Sequence, residues 1–348
     1  RKLIAIARSD PGSTILIPKG DYHFYADGAL KLSFHVSNHD QPTFQPVAVP
    51  LLDLHNVTID CQGSTFYFHN LIHPIVILDS QNVTVKNVKI DYSRPYYTQA
   101  IIKEISFFST TIYINKTLYP YHIESGKFVF DHENFTRSQQ GVTLYNGTTK
   151  HIIPGSSNAA ISGVVAENED GTCSIAQNFG TYGAVAGDAM VFSSYLRPYP
   201  AVTIYRSLGT TLDGVHVASS EGMAVLSQRS EDIHITNSGA IYSDESRYTS
   251  AHCDAVHFSN NRGHILVENS RFEGMLDDSI NVHSTSLKIT SISGSTIEVQ
   301  YMHSQSVGFE TVLPNEHIQF IKASTLELSE IRAVAAVRKM STTKLQIT

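Results

Sequence analysis

The sequence predicts an all-β protein built on a right-handed parallel β-helix, a solenoid of stacked coils, with antiparallel β-barrel-like domains inserted into it. Three observations predict this class. A strand–turn–strand module recurs along the chain, neighbouring copies are mostly 23–25 residues apart, and two long segments outside the module alternate apolar and polar residues. A repeat of this length in β-branched strands, without helical periodicity, is typical of a β-solenoid.

Each copy of the module has a short apolar strand, a polar turn and a second β-branched strand. The copies read PLLDLHNVTIDC from Pro50, PIVILDSQNVTVKN from Pro74, AVTIYRSLGTTLDG from Ala201, AVLSQRSEDIHITN from Ala224, AVHFSNNRGHILVEN from Ala255 and SINVHSTSLKIT from Ser279. Aligned on their first apolar residues (Leu51, Val76, Val202, Val225, Val256 and Ile280), they are separated by 25, 126, 23, 31 and 24 residues. Strands this short cannot bury a face alone, so we expect successive coils to stack about 4.8 Å apart.

The irregular steps between copies predict the domain organisation. The step of 126 residues corresponds to one coil plus an insertion of roughly a hundred residues, and that insertion alternates apolar and polar residues as antiparallel strands do. The predicted units are an N-terminal cap with the first coils (1–97), an inserted antiparallel β domain (98–198), the coils with the candidate catalytic residues (199–286), and a second β excursion that we expect to be cut short (287–348).

Composition and charge limit the possible partners. Of the 348 residues, 41% are hydrophobic and 16% are charged, as in globular proteins. The formal net charge of -7 argues against nucleic acid and anionic membranes as partners. No apolar run approaches the roughly 18–20 residues of a membrane span. We expect no cofactor, no metal, and a secreted or periplasmic bacterial location with the signal peptide missing from this sequence, while the oligomeric state stays open.

Three acidic residues stand out because they begin two adjoining coils. Asp254 opens the strand-like run DAVHF, and Asp277 and Asp278 open the run DSINV. The later coil matches an earlier one through a shared Glu-Gly-Met, at 221–223 and again at 273–275, but it has three extra residues that include both acids. Stacking of the coils would therefore bring three carboxylates together, with Asp254 about 5–9 Å from Asp277.

Carboxylates in such a cluster repel one another, and this repulsion should raise the pKa of at least one of them. Glycoside hydrolysis needs such a difference, because one carboxyl group protonates the leaving oxygen while a carboxylate activates water or attacks the sugar. Two other interpretations remain open. Acidic residues also stabilise turns, and clustered acids bind calcium, although no Asp-x-Asp-x-Asp ligand run occurs here.

Alternation along the same two strands predicts the neighbours of the acids. The side chains expected to face the core are Val256, Phe258, Ile280 and Val282, and those expected to face outward are Ala255, His257, Ser279, Asn281 and His283. An insertion of about seven residues within 241–253 enters directly before Asp254. From these two regions we predict that the sugar hydroxyls are bound by Arg247, His252, His257, Asn281 and His283.

Two stretches, HCDAVHFSN from His252 and VENSRFEGMLDDSINVHST from Val267, resemble glycoside hydrolase family 110. The resemblance implies an inverting α-1,3-galactosidase that removes terminal α-galactose from glycans such as those of blood group B. It implies that Asp277 is the general acid, and that Asp254 and Asp278 position and deprotonate the attacking water. The polygalacturonases, which are more distant relatives, also have Asp-Asp, but their Gly-His-Gly is replaced here by 262–264, Arg-Gly-His. That difference argues against uronic-acid substrates.

The predicted function is therefore exo-acting release of terminal α-1,3-linked galactose, from blood group B-type or linear glycans. Two alternatives stay open at this point. A polysaccharide lyase of the same architecture would use calcium and a basic residue, and a non-catalytic glycan-binding solenoid would use the acids only as turn residues.

Overall fold

The computed structural model describes the backbone of residues 2–40 and 44–348, and the side chains of residues 4–40 and 44–348. The elements up to residue 97 are α1 (Lys2–Ser9), β1 (Thr14–Leu16), β2 (Asp21–Phe24), a 3-10 helix (Ala26–Gly28), β3 (Leu30–Leu32), β4 (Gln45–Leu52), β5 (His55–Phe68), β6 (His73–Leu78) and β7 (Gln81–Tyr92). Helix α1 packs Ile4 and Ala7 against the hydrophobic core. Within the described ranges, no helix has the length and apolar character that crossing a membrane requires.

The segment that follows is antiparallel. Its elements are β8 (Thr98–Ile105), β9 (Thr110–Tyr113), β10 (Tyr121–Glu124), β11 (Lys127–Asp131), β12 (Thr136–Ser138), β13 (Gly141–Tyr145), β14 (Ala159–Ala160), β15 (Val165–Glu167), β16 (Cys173–Ile175), a 3-10 helix (Phe179–Tyr182) and β17 (Ala189–Ser193). They form one sheet in the order β14-β13-β17-β8-β9-β16-β15 and a smaller sheet of β10, β11 and β12. These two sheets enclose a separate core rich in tyrosine and phenylalanine.

The chain then returns to the parallel sheets and leaves them again. The returning strands are β18 (Val202–Tyr205), β19 (Leu208–Val217), β20 (Val225–Gln228), β21 (Glu231–Thr236), β22 (Gly239–Ala240), β23 (Val256–Ser259), β24 (Arg262–Glu268), β25 (Arg271–Phe272) and β26 (Ile280–His283). The last elements are β27 (Leu287–Ser293), β28 (Thr296–Tyr301), a 3-10 helix (Ser304–Ser306), β29 (His317–Ile321), β30 (Leu328–Ala333), β31 (Val337–Lys339) and β32 (Lys344–Ile347), whose pairings are antiparallel.

Two parallel sheets form the frame of the molecule. The first contains β1, β5, β7, β19, β21 and β24 in that order, and the second contains β26, β23, β20, β18, β6 and β4. These strands alternate between the two sheets along the chain from β4 to β7 and from β18 to β26, and the short strands β2, β22 and β25 also pair within the first sheet. Neighbours within a sheet mostly come from successive copies of the module. Apolar side chains of both sheets, from Val57 and Ile77 to Phe258, pack into one buried core between them. The all-β class predicted from the sequence is confirmed.

The last four copies of the module are aligned as the sequence predicted, since their first apolar residues are direct register partners: Val202, Val225, Val256 and Ile280. The alignment of the first two copies is wrong. Val202 pairs with Ile75 and Ile75 pairs with Val49, so the predictions at Val76 and Leu51 are shifted by one and two residues. The apolar runs there are longer than in later copies, and a first apolar residue does not mark the register in such a run.

A corner with left-handed backbone ends five of the six strands of the second sheet, namely all except β26. Five residues with φ between 48° and 54° occupy it: Asp53, Asp79, Arg206, Arg229 and Asn260. The backbone N–H of each donates to the last residue of the neighbouring strand, at 2.9–3.3 Å. Asp and Asn adopt this conformation more readily than most residues, whereas arginine does not. Arg206 and Arg229 are held there by ion pairs with Asp79 and Glu316, both at 2.7 Å.

Some side chains of β23 and β26, and of the turns before them, differ from the predicted exposure. Ile280 and Val282 lie on the predicted inner face, but they are 46% and 61% exposed, because β26 has a neighbouring strand on one side only. Ala255 was predicted to face outward, yet it is part of the buried core, since it lies in the turn before β23 where strict alternation does not hold.

His257 also differs, because it is only 2% exposed. It does lie on the outer face of the second sheet, but residues 33–40, which we call the strap, cross that face. Ser37 in the strap donates to Gln228 at 2.8 Å and contacts Ser259 at 3.0 Å. Val36 packs with Met223, Leu226 and Cys253. A repeat in the sequence cannot reveal this cover, because the strap is not a copy of the module.

Candidate active site

The three predicted acids meet at one place. Asp254 lies in the turn before β23, Asp277 and Asp278 lie in the turn before β26, and these two strands are neighbours in the second sheet. One carboxylate oxygen of each lies within 4.8 Å of the others. This separation is slightly shorter than the 5–9 Å predicted for Asp254 and Asp277. Asp254 is buried, whereas Asp277 and Asp278 are exposed, so a ligand would approach from the side of the acid pair.

Asp277 differs electrostatically from an ordinary surface acid. Partial burial raises its pKa, and the nearby carboxylates of Asp254 and Asp278 raise it further. The guanidinium of Arg197, whose Nη2 lies 3.6 Å from Asp277 Oδ2, acts in the opposite direction. The net direction is upward. A carboxyl group with a raised pKa keeps its proton to a higher pH, as a general acid must.

Asp254 contacts His257, and His257 in turn contacts His283. Its Oδ2 lies 2.5 Å from Nδ1 of His257, and Nε2 of His257 lies 2.6 Å from Nε2 of His283. Nδ1 of His283 lies 3.2 Å from the backbone oxygen of Ser284. Both ring nitrogens of His257 therefore contact protein groups, and none is left for a sugar hydroxyl. The predicted role of His257 in sugar binding is not compatible with this arrangement.

Asp278 is fixed by its neighbours in the same turn and strand. Its backbone N–H donates to Oδ1 of Asp277 at 3.2 Å, and Nδ2 of Asn281 donates to its Oδ2 at 3.0 Å. Its backbone oxygen accepts from the N–H of Ala255 at 2.9 Å, which ties the acid pair to the coil of Asp254. Asn281, predicted to bind sugar, thus orients a carboxylate.

The two candidates from the 241–253 insertion are more buried than expected. Arg247 forms an ion pair with the buried Asp91 at 2.8 Å, and Asp244 lies 3.6 Å from its Nε. His252 is 7% exposed and packs edge-on against Tyr96. Burial, together with Arg197 and Arg137, lowers the pKa of His252 to about 3, so its ring is neutral. Arg247 therefore has a structural partner, and the ring of His252 is buried rather than exposed to solvent.

Sequence reasoning missed Arg197, the cation beside Asp277. It lies between β17 and β18, where the chain returns from the antiparallel segment. Asp40 at the end of the strap holds it in place, because Asp40 Oδ2 accepts from the N–H of Arg197 at 2.6 Å and the N–H of Asp40 donates to its backbone oxygen at 3.1 Å. No motif links these positions, which lie far apart in the sequence, so only the folded chain reveals the contact.

A buried ion pair links Glu221, in the turn before β20, to the antiparallel segment. Glu221, which is 3% exposed, contacts Arg137 of β12 at 2.9 Å. The next residue, Gly222, has no room for a side chain, because a Cβ there would lie 2.2 Å from Nε2 of His39. The side chain of Glu221 thus connects the antiparallel segment to the turn before β20.

The same three carboxylates are the one group in the described chain with the spacing of a possible metal site. Oxygen ligands of this kind suit hard divalent cations. However, Asp254 is already hydrogen-bonded to His257, and Asp277 faces Arg197. A cation would have to compete with a positive group beside Asp277, so the donor set fits a proton-transfer site better than a calcium site.

Comparison with known proteins identifies two matching domains and several curated relatives. Residues 98–189 match the family model "GLAA-B beta-barrel domain I", and residues 296–348 match "GLAA-B beta-barrel domain II". The chain is similar to curated α-1,3-galactosidases. It is 39% identical to alpha-1,3-galactosidase B of Akkermansia muciniphila over 100% of this chain and 44% of the relative.

Two further relatives have the same name. Identity is 34% to the protein from Parabacteroides distasonis, over 93% of this chain and 54% of the relative, and 32% to one from Phocaeicola vulgatus, over 89% and 53%. The chain thus spans about half the length of the curated relatives it matches. These names agree with the galactosidase part of the resemblance in the sequence, and the two matched domains correspond to the antiparallel segments of the fold.

Proposed function

We propose that this chain contains the catalytic centre of an exo-acting glycoside hydrolase that releases terminal α-1,3-linked galactose from glycans, either blood group B-type or linear. The observation that carries the proposal is one carboxyl group with a raised pKa, Asp277, within 4.8 Å of two other carboxylates. Glycosidases need this combination of a protonated acid and an ionised partner. The similarity to proteins named α-1,3-galactosidase supports the choice of sugar and linkage.

In the proposed reaction, Asp277 donates its proton to the glycosidic oxygen as the bond from C1 to that oxygen breaks. Asp254 and Asp278 accept hydrogen bonds from one water molecule, and one of them takes its proton as the water oxygen bonds to C1. The products are β-galactose and a glycan with a free hydroxyl group. Two carboxylates beside the acid can hold a water molecule at two points, which supports inversion.

The spacing of the carboxylates alone favours the other stereochemical outcome. Inverting enzymes usually separate their two carboxyl groups by about 6.5–9.5 Å, and retaining enzymes by about 5 Å. Proton NMR of the first product therefore gives the sharpest test of this step. Initial release of β-galactose supports inversion, and initial release of α-galactose would replace it with a covalent intermediate on one of the three acids.

The activity itself is tested with an aryl α-galactoside and a panel of α-1,3-, α-1,4- and α-1,6-linked galactosides. We expect cleavage of the α-1,3 linkage, loss of activity in Asp277→Asn and Asp254→Asn, and no effect of a chelator. Chelator-sensitive turnover with an unsaturated, ultraviolet-absorbing product would indicate a lyase instead. Binding of the glycan without turnover would indicate a non-catalytic lectin-like protein.

We also propose that the two parallel sheets are the faces of a right-handed parallel β-helix, with the antiparallel segments 98–198 and 287–348 inserted into it or extending from it. Alternation of consecutive strands between the sheets, with one module per rung, supports this architecture. For the location we propose a secreted or periplasmic protein, because its proposed substrates are glycans outside the cell. Fractionation of the source cells tests it, and an exclusively cytoplasmic protein would contradict it.

A further inference from the structure

We propose that Asp254, His257 and His283 form one hydrogen-bonded unit that holds three protons in its contacts and is electrically neutral. His257 and His283 are then positioning residues for Asp254 rather than ligands of the sugar. The proton count rests on geometry alone, and only its effect on catalysis rests on the proposed function.

Three contacts in a row define the unit. They join Asp254 to His257 at 2.5 Å, His257 to His283 at 2.6 Å, and His283 to the oxygen of Ser284 at 3.2 Å. A contact this short between two electronegative atoms requires a hydrogen between them. The carbonyl oxygen of Ser284 can only accept, so Nδ1 of His283 must carry a hydrogen. Each of the three contacts therefore needs one proton.

Two distributions satisfy these contacts. In one, Asp254 is a carboxylate and the two rings together carry three N–H groups, one more than two neutral imidazoles have. In the other, Asp254 carries a proton, Nε2 of His257 donates to His283, and both rings are neutral. The net charge is zero in both cases. Two neutral rings beside an ionised Asp254 would leave one contact without a hydrogen, so two acceptors would face each other.

The surroundings of the unit explain why neutrality matters. His257 is buried, and a buried group with unbalanced charge is costly. From the strap it is faced by His39, whose Nδ1 contacts the oxygen of Ser37 and whose Nε2 accepts from Met223. Burial lowers the pKa of His39 to about 4, so this ring adds no charge at neutral pH.

The other charged groups nearby are Asp277 and Asp278 in the turn before β26, Arg197 in the segment before β18, and Asp40 at the end of the strap, which accepts from the N–H of Arg197. The thiol of Cys253, next to Asp254, stays neutral because burial raises its pKa. With a neutral unit, the site has effectively two acids and one arginine instead of three mutually repelling carboxylates. We infer that this is how three acids can lie within 4.8 Å of one another.

The unit also assigns different tasks to the acids. The short contact with His257 fixes the orientation of Asp254 and leaves its second oxygen for the water molecule. The O–H bond of the water breaks and an O–H bond forms at the second oxygen of Asp254. That proton then passes from Asp254 to solvent, so the three contacts keep their protons and the unit returns to its neutral state.

The direct test needs no substrate. NMR of protein labelled with ¹⁵N-histidine should show a coupling between the two Nε2 atoms through their shared hydrogen, and three protons distributed over the contacts. His283→Gln and Asp254→Asn assign the signals, the second variant being nearly isosteric. Two rings that titrate separately, with no coupling, would refute the unit.

The catalytic part is tested by the pH profile of kcat/KM for His283→Gln. Without His283 the unit lacks one proton-binding ring and is negatively charged whenever Asp254 is ionised, so we expect both limbs of the profile to move to higher pH. His264→Gln is the matched control, since His264 contacts His234 at 3.2 Å in an exposed pair away from the acids. Unmoved limbs in His283→Gln would show that the residue is merely structural.

The two proposals can fail separately. A coupled pair in a protein that cleaves no α-galactoside would refute the proposed function and keep the proton count. Cleavage of an α-galactoside by a protein whose histidines show no coupling would support the proposed function and refute the proton count.

Discussion

Removal of Arg137 should destabilise the protein far more than removal of a surface arginine. Arg137 and Glu221 form an ion pair at 2.9 Å, and their side chains are only 10% and 4% exposed. In Arg137→Met the carboxylate of Glu221 stays buried without its partner. Loss of one member of a buried pair typically costs about 3–5 kcal/mol, and we expect a value in that range at neutral pH.

The pH dependence of this effect follows from Glu221. Burial raises its pKa, and Arg137 opposes that rise. A carboxyl group with a raised pKa in the folded state destabilises the fold once pH exceeds its unfolded pKa, and protonation relieves this cost at lower pH. Without Arg137 the folded pKa rises further. The stability lost in Arg137→Met should therefore shrink as the pH falls toward the acidic range.

Unfolding in guanidinium chloride at several pH values, followed by circular dichroism, measures both the loss of stability and its pH dependence. The midpoint and the slope are fitted for each transition. The double variant Arg137→Met with Glu221→Gln should recover at least half of the loss, because no charge stays buried. Arg271→Met is the control, since its ion pair with Glu273 lies on the surface, and its midpoint should be unchanged. A loss below about 1 kcal/mol in Arg137→Met, or simple additivity in the double variant, would refute the reasoning.

Three further predictions concern the acids and the core. Asp277→Asn should lower kcat/KM about 10²–10⁴-fold without changing the unfolding midpoint. The activity of the wild-type protein should fall as the pH rises through the raised pKa of Asp277, and a flat alkaline limb of the pH profile would contradict the role of Asp277 as general acid. Arg197→Met should move that limb to higher pH because Arg197 lowers the pKa of Asp277, whereas Arg197→Lys should leave it in place. Phe258→Ala, in the core between the sheets, should cost about 3–5 kcal/mol in chemical unfolding, and a loss under 1 kcal/mol would mean that this core is loosely packed.

Much of the frame could be predicted from the sequence because the module repeats. Val225, Val256 and Ile280 are in register as predicted, since each copy forms the same short strands and the same corner. The same repeat placed Asp254 next to Asp277 and Asp278. The first copies were misaligned because the apolar run from Val47 to Leu52 is uninterrupted by charged residues, so several registers satisfy the hydrophobic pattern equally well.

The parts that could not be predicted come from outside the repeat. The strap covers His257, and Arg197 reaches Asp277 from the end of the antiparallel segment. Both contacts depend on how non-repeating chain folds back over the second sheet, and no local pattern encodes that path. Arg247 and His252 were predicted to bind sugar, but they are buried against residues distant in the sequence, Asp91 for Arg247 and Tyr96 for His252.

The left-handed corner at Arg229 connects two parts of the molecule mechanically. Its backbone N–H is bonded to the last residue of β23, and its guanidinium grips Glu316 through both carboxylate oxygens, at 2.7 and 3.0 Å. A displacement of the C-terminal antiparallel segment would therefore act on Arg229, whose left-handed backbone conformation is unfavourable for arginine and depends on these contacts. Arg229 is hydrogen-bonded to Ser259 at the end of β23, and β23 also contains His257. A displacement at Glu316 would therefore be transmitted to the strand of the histidine that contacts Asp254.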